Sequence, residues 1–151
     1  MSAPHYQEVK ADSIPLVHSD GANIRIVAGE VNGVRGPVGE IAADPVYLDV
    51  ALEPGAVFTY SIPAEHTAMA YVFEGRGSFG QGEAAEAVSL VVFGEGEAVH
   101  AQAGGEAGMR FMLMAGAPFK EPAVPYGPFV MNTVEEIQQA LEDLRSGRFV
   151  G

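Results

Sequence analysis

Apolar and polar residues alternate in short bursts along this chain, separated by glycine and proline, with the period of two that marks half-buried strands. Leu48-Asp49-Val50-Ala51-Leu52-Glu53 runs into Pro54-Gly55, and Val57-Phe58-Thr59-Tyr60 resumes behind that break. The pattern predicts strands over 46–52 and 56–62, and further strands over 24–29, 68–74, 88–93, 97–102 and 109–115. Between them stand turn signals: Asp20-Gly21, Asn32-Gly33, Pro63, Glu74-Gly75-Arg76-Gly77, a polar hairpin tip over 80–86, and Gly94-Glu95-Gly96-Glu97. At 74–77 the glycines are expected to supply the positive φ of a tight turn.

One segment departs from this period. Thr133 is a natural N-cap with Glu136 completing a capping box, Ile137, Leu141 and Leu144 recur at helical spacing, Arg145 falls in the last turn, and Gly147 supplies the stop. A helix of about 13 residues cannot stand alone in water, so its apolar stripe is expected to dock on the barrel or on another chain. The expected organisation is an N-terminal tether or edge segment over 1–15, a β-barrel over 16–118, and a Pro-rich tail with the helix over 119–151.

The 151 residues suit one domain with one core. Nineteen glycines and ten prolines among 48% apolar residues favour an all-β barrel or sandwich over disorder. The formal net charge of −12 would be repelled by phosphate backbones, which argues against direct nucleic-acid binding, and it suits a soluble monomer or small oligomer. Without cysteine there is neither a disulfide framework nor thiol catalysis, in keeping with a cytoplasmic setting. No apolar run approaches the twenty residues of a membrane span.

Candidate chemistry is sparse. The four histidines, His5, His18, His66 and His100, show no ligand spacing, and only His66 and His100 fall within the barrel region. A catalytic metal needs about three convergent protein ligands and an open position. No Gly-x-Ser-x-Gly elbow and no phosphate loop are present. Phe58, Tyr60, Met69, Tyr71, Phe111 and Met112 are assigned to core packing. Arg25, Arg35 and Arg110 lie on or near strands and are candidates for carboxylate pairing.

Four segments carry a resemblance: Gly33-Val34-Arg35-Gly36-Pro37-Val38, Leu52-Glu53-Pro54-Gly55, Tyr71-Val72-Phe73-Glu74-Gly75, and above all Tyr126-Gly127-Pro128-Phe129-Val130-Met131-Asn132-Thr133. From 4 to 149 the chain resembles the second half of the pirins, two-barrel members of the cupin superfamily. The resemblance implies a single cupin-like double-stranded β-helix, or jelly-roll, barrel with one C-terminal α-helix, and a pirin without its first barrel. In cupins two histidines and a glutamate of the first motif and one histidine of the second hold a metal. Counting from the matching segments, those positions fall at Ser61, Pro63, Ala68 and Ala107, none of which can coordinate.

The iron of the best-known pirins belongs to the first barrel, so the resemblance implies no metal cofactor here and no quercetin dioxygenase activity. A metal-free, non-catalytic interaction or assembly module follows, with a homodimer or a separate cupin or regulatory protein as partner. Tyr126, Phe129, Ile137, Leu141 and Leu144 are its interface candidates. The alternatives are a metal-dependent dioxygenase, with iron or another divalent metal on His66 and His100, and a metal-free small-molecule binder.

Overall fold

The computed structural model describes residues 6–149, apart from the side chain of Glu83. His5 and the rest of 1–5, within the expected tether, lie outside the described residues, as do 150 and 151. Two compact units form, Met1–Pro118 and Phe119–Gly151.

The first unit opens with a 3-10 turn at Ala11–Ser13 and continues through β1 (Leu16–Ser19), β2 (Ala22–Ala28), β3 (Glu30–Val31), β4 (Val34–Arg35) and β5 (Val46–Leu52). It ends with β6 (Val57–Ser61), β7 (Thr67–Phe79), β8 (Glu83–Glu86), β9 (Ser89–Val92), β10 (Ala98–Ala103) and β11 (Met109–Gly116). The pairing order is β1-β2-β5-β11-β7-β10-β6, with β9 and β8 along the two halves of β7. All these pairings are antiparallel.

The turns follow from local chemistry. Asp20 and Gly21 have φ of 43° and 76°, and Asn32 and Gly33 have 51° and 80°. Two consecutive positive values are what the tight I′ hairpin requires, and Asp-Gly and Asn-Gly reach them at least strain. The second of these hairpins sets Glu30 directly opposite Arg35.

Residues 74–77 do not form the expected turn. β7 runs through them for 13 residues, bending where its pairing with β11 shifts register between Arg110 and Phe111. That bend carries the strand from the layer with β9, β11, β5, β2 and β1 to the layer with β8, β10 and β6. Gly75 has φ of 71°, and a Cβ there would stand 2.2 Å from the Gly108 carbonyl oxygen. The glycines therefore admit a bulge and a close backbone approach instead of reversing the chain. The expected hairpin tip over 80–86 is shortened likewise, because β8 pairs with β7 from Glu83 to Glu86.

The interior is apolar. Ile24, Ile26, Leu48, Val50, Val72 and Leu113 are almost wholly buried, and no polar or charged side chain is buried among the described residues. Phe79 meets Phe111 edge-on at 5.2 Å between ring centres, and Phe58 meets Phe111 at 5.9 Å. Such pairs add about 0.5–1.5 kcal/mol each beyond the area they bury.

The second unit contains β12 (Val124–Tyr126), β13 (Phe129–Met131) and α1 (Val134–Arg145). The Pro-rich tail forms a small hairpin, with Pro125 inside β12 and Pro128 in the turn; β12 and β13 pair as Tyr126↔Phe129 across it. The capping box is formed: the Glu136 amide donates to Thr133 Oγ1 at 3.1 Å, and the Thr133 amide donates to the Glu136 carboxylate at 3.1 Å. The helix packs on its own hairpin, a surface that is neither the expected barrel nor a second chain. Ile137 and Ala140 are its buried residues.

Candidate functional site

On β6 the side chains alternate strictly, and the alternation decides where the positions assigned by resemblance point. Phe58 and the following Ile62 are buried and Tyr60 packs against the core, whereas Ser61 and Pro63 face outward. A strand's period of two means that a count displaced by one residue exchanges the faces. Of the four positions only Ala68 faces inward, where it pairs with Ala115. Ala107 is exposed in the turn before β11, beyond the Met109↔Gly75 pair. Six residues of extended chain separate that pair from Ala115, about 20 Å at about 3.3 Å per residue. The structure therefore sets Ala107 and Ala68 at opposite ends of β11 and turns Ser61 and Pro63 away from the interior.

The inward-facing side chains do not fit a transition metal. Around the interior stand Phe58, Tyr60, Ile62, Ala68, Phe79 and Phe111, whose one heteroatom is the Tyr60 hydroxyl. That hydroxyl already donates to the Glu30 carbonyl at 3.1 Å. Burial pushes the Tyr60 phenol above its usual value, aided by the nearby Asp44 and Glu30 carboxylates and opposed by the bond to Glu30. Imidazole, thiolate and carboxylate donors are what such ions take. Among the described residues no three His, Cys, Asp or Glu side chains are grouped for one.

His66 and His100 are not brought together either. On β10, Val99 and Ala101 point inward and His100 outward, with its Nδ1 3.0 Å from Thr59 Oγ1 on the paired strand. His66 follows β6 in a loop whose turn closes by its amide donating to the Pro63 carbonyl at 2.9 Å. Its ring Nδ1 is buried without a hydrogen-bond partner among the described residues. The ring borders a recess of about 340 Å³, also lined by Glu30, Arg35, Asp44, Tyr60 and Ser61. Arg35 Nε donates to Glu30 at 2.7 Å across the hairpin. The Asn32-Gly33 turn held the signal for that pair, since a two-residue turn fixes which flanking residues oppose each other.

The outer face of the larger layer is a second candidate surface. One row crosses all six of its strands through Leu90↔Tyr71↔Met112↔Asp49↔Arg25↔Leu16. Beside it runs Val92↔Met69↔Met114↔Tyr47. Met69, Tyr71 and Met112, expected in the core, lie here instead, and of the six assigned to it only Phe58, Phe111 and the half-buried Tyr60 pack there. Leu90 is 57% exposed, Val92 64%, Leu16 42%, Tyr47 39% and Tyr71 37%. Arg110 grips Asp49 with two hydrogen bonds, 2.8 and 2.7 Å, reaches Glu74 at 3.4 Å, and lies 5.1 Å from the Phe73 ring centre. The hydrogen bonds to Asp49 hold the guanidinium pKa above its usual value.

The interface candidates of the second unit fare differently from one another. Ile137 is buried in its own chain and cannot serve. Phe129 packs edge-on against Phe149 at 5.2 Å, and Leu141 is half-buried, while Tyr126 and Leu144 remain more than half exposed.

Antiparallel strands wound into two layers around an aromatic core define a cupin barrel, followed in the chain by a small helical unit. The chain matches the pirin C-terminal cupin domain over residues 47–150, and it belongs to the pirin family. It is 40% identical to a pirin-like protein of Arabidopsis thaliana, over 96% of this chain and 49% of the relative. It is 36% identical to human pirin, over 98% of this chain and 52% of the relative. Among solved structures, quercetin 2,3-dioxygenase from Acinetobacter baumannii aligns with a TM-score of 0.84 at 30% identity, over 97% of this chain and 51% of that one. The chain thus spans about half the length of the relatives it matches. No helix among the described residues is long and apolar enough to cross a membrane.

Proposed function

We propose that this pirin-family domain is a metal-free, non-catalytic assembly module of the cytosol. The carrying observation is the barrel interior: Phe58, Phe79 and Phe111 pack edge-on in one apolar core with Ala68, and the inward set offers no imidazole, thiolate or carboxylate. Close-packed interiors leave few voids larger than a water, so rings in that space exclude an ion and its substrate together. The quercetin dioxygenase chemistry named for the Acinetobacter structure is therefore not carried over to this chain. The cytosolic assignment rests on the absence of cysteine.

The test is metal analysis of protein purified without chelator, before and after incubation with ferrous iron, paired with a quercetin turnover assay. Trace metal and no turnover are expected; near-stoichiometric iron, manganese, nickel or zinc would overturn the reading.

A second reading has its own observation. The unpartnered His66 Nδ1 borders a recess of about 340 Å³, a volume in the range of small-molecule sites. A ligand supplying a hydrogen-bond partner there would satisfy an atom that the described residues leave without one. In a thermal-shift screen with His66→Leu as control, hits lost in the variant support this reading; hits kept in the variant, or none, remove it.

A further inference from the structure

We infer that the outer face of the β9-β7-β11-β5-β2-β1 layer is where a second copy of this chain docks, pairing the two molecules about a two-fold axis. The inference rests on the assembly reading above and supplies its partner. Three observations carry it.

The first is a mismatch between sequence and burial. Thr67 to Phe73 and Met109 to Ala115 read as almost continuous apolar runs. Such runs belong to strands covered on both faces, whereas a sheet with one wet face alternates with polar residues. Here one face is covered and the other is not.

The second is area. Leu90, Val92, Tyr71, Tyr47 and Leu16, with the methionines between them, leave on the order of 600 Å² of apolar surface open, the upper end of what monomers tolerate. A specific interface takes about 800 Å² from each partner, so this apolar area would form the greater part of one.

The third is charge. Chains of net charge −12 repel one another, so a self-pairing surface has to lie away from the acidic surplus. Arg25 and Arg110 on this face stand against Asp49 and Glu74, with Arg110 bound to both carboxylates, and the patch is neutral. Apolar rows around a satisfied ion pair suit an isologous contact, in which the same patch serves both partners. The second copy is favoured over an unlike partner because a basic partner, the natural complement of an acidic chain, would find no acidic excess on this patch.

Light scattering during size-exclusion chromatography of the full chain tests this, with metal content read on the same sample. The expected mass is twice the 15.8 kDa of one chain at micromolar concentration. The double variant Leu90→Glu with Val92→Glu, both exposed and free to change without touching the core, should shift to the single-chain mass with unchanged circular dichroism. Leu144→Glu in the tail should leave the doubled mass intact. A single-chain mass for the unaltered protein, a doubled mass that survives the double variant, or one abolished by Leu144→Glu would each overturn the inference. A monomer free of metal would remove this interface alone, and a metal-loaded dimer would remove the metal-free reading alone.

Discussion

The two faces of the β9-β7-β11-β5-β2-β1 layer are built from alternate residues of the same strands, and they have opposite fates. Inward, Ile24, Leu48, Val72, Phe111 and Leu113 meet a second layer and disappear from solvent. Outward, Tyr71, Met112 and Met114 are scarcely less apolar, yet they lie open or half-open around one organised ion pair. A face is not closed by hydrophobicity alone; it needs an opposing surface within reach, which β6 and β10 supply on one side and none of the barrel's described residues supplies on the other. The closed face is filled by aliphatic side chains and edge-on aromatic rings. The open one has kept the kind of surface that joins molecules.

The neighbours Phe111 and Met112 give the largest contrast. Phe111→Ala should cost about 3–5 kcal/mol in urea unfolding, since the ring touches both Phe58 and Phe79 and leaves a cavity. Met112→Ala should cost less than about 1 kcal/mol in the dissociated protein. Equal losses would mean that the outer face is as closed as the inner one.

Arg110→Ala comes next, at about 1–2 kcal/mol by the same measurement, because it strips Asp49 of two hydrogen bonds at a site that is only partly shielded from water. Arg110→Lys should recover part of the loss, as a point charge cannot span both carboxylate oxygens. Thr133→Ala should cost about 1 kcal/mol, read as faster amide exchange in α1 with the exchange of β5 and β11 unchanged. A matching change in the barrel strands would show that the two units do not unfold separately.

The smallest effect is one of pH. Because the folded Tyr60 phenol titrates above its unfolded value of 10.0, its contribution is complete below that pH. It is lost as pH rises from there through the folded value, where the unfolded chain alone ionises first. Stability should therefore fall more steeply with alkaline pH in the natural protein than in Tyr60→Phe, in urea melts between about pH 9 and 11. Parallel slopes would contradict burial of that hydroxyl.

Much of the barrel is legible in the sequence where local chemistry is decisive. The Asp20-Gly21 and Asn32-Gly33 turns, the strand at 46–52 and the capping box at Thr133 each follow from a few adjacent residues. The faces of strands are less legible. In Thr67 to Phe73 both parities are apolar, so alternation cannot say which set is buried, and Met69 and Tyr71 read as core. At Ser61 and Pro63 a motif count fixes spacing but not parity, and one residue of slip turns the positions outward. Glycines 75 and 77 mimic a turn because a bulge and a reversal draw on the same freedom. The ion pair of Arg110 with Asp49 joins residues 61 apart and has no local signature at all.

The contrast between the faces is tested most directly by methyl NMR of the methionines across a dilution series of the full chain. Met69, Met112 and Met114 report on the outer face, Met109 on the core and Met131 on the tail unit. The outer three methyl signals should move together with concentration while those of Met109 and Met131 stay fixed. Signals that hold still at all five positions, or movement confined to Met131, would contradict an outer face that closes against a second copy.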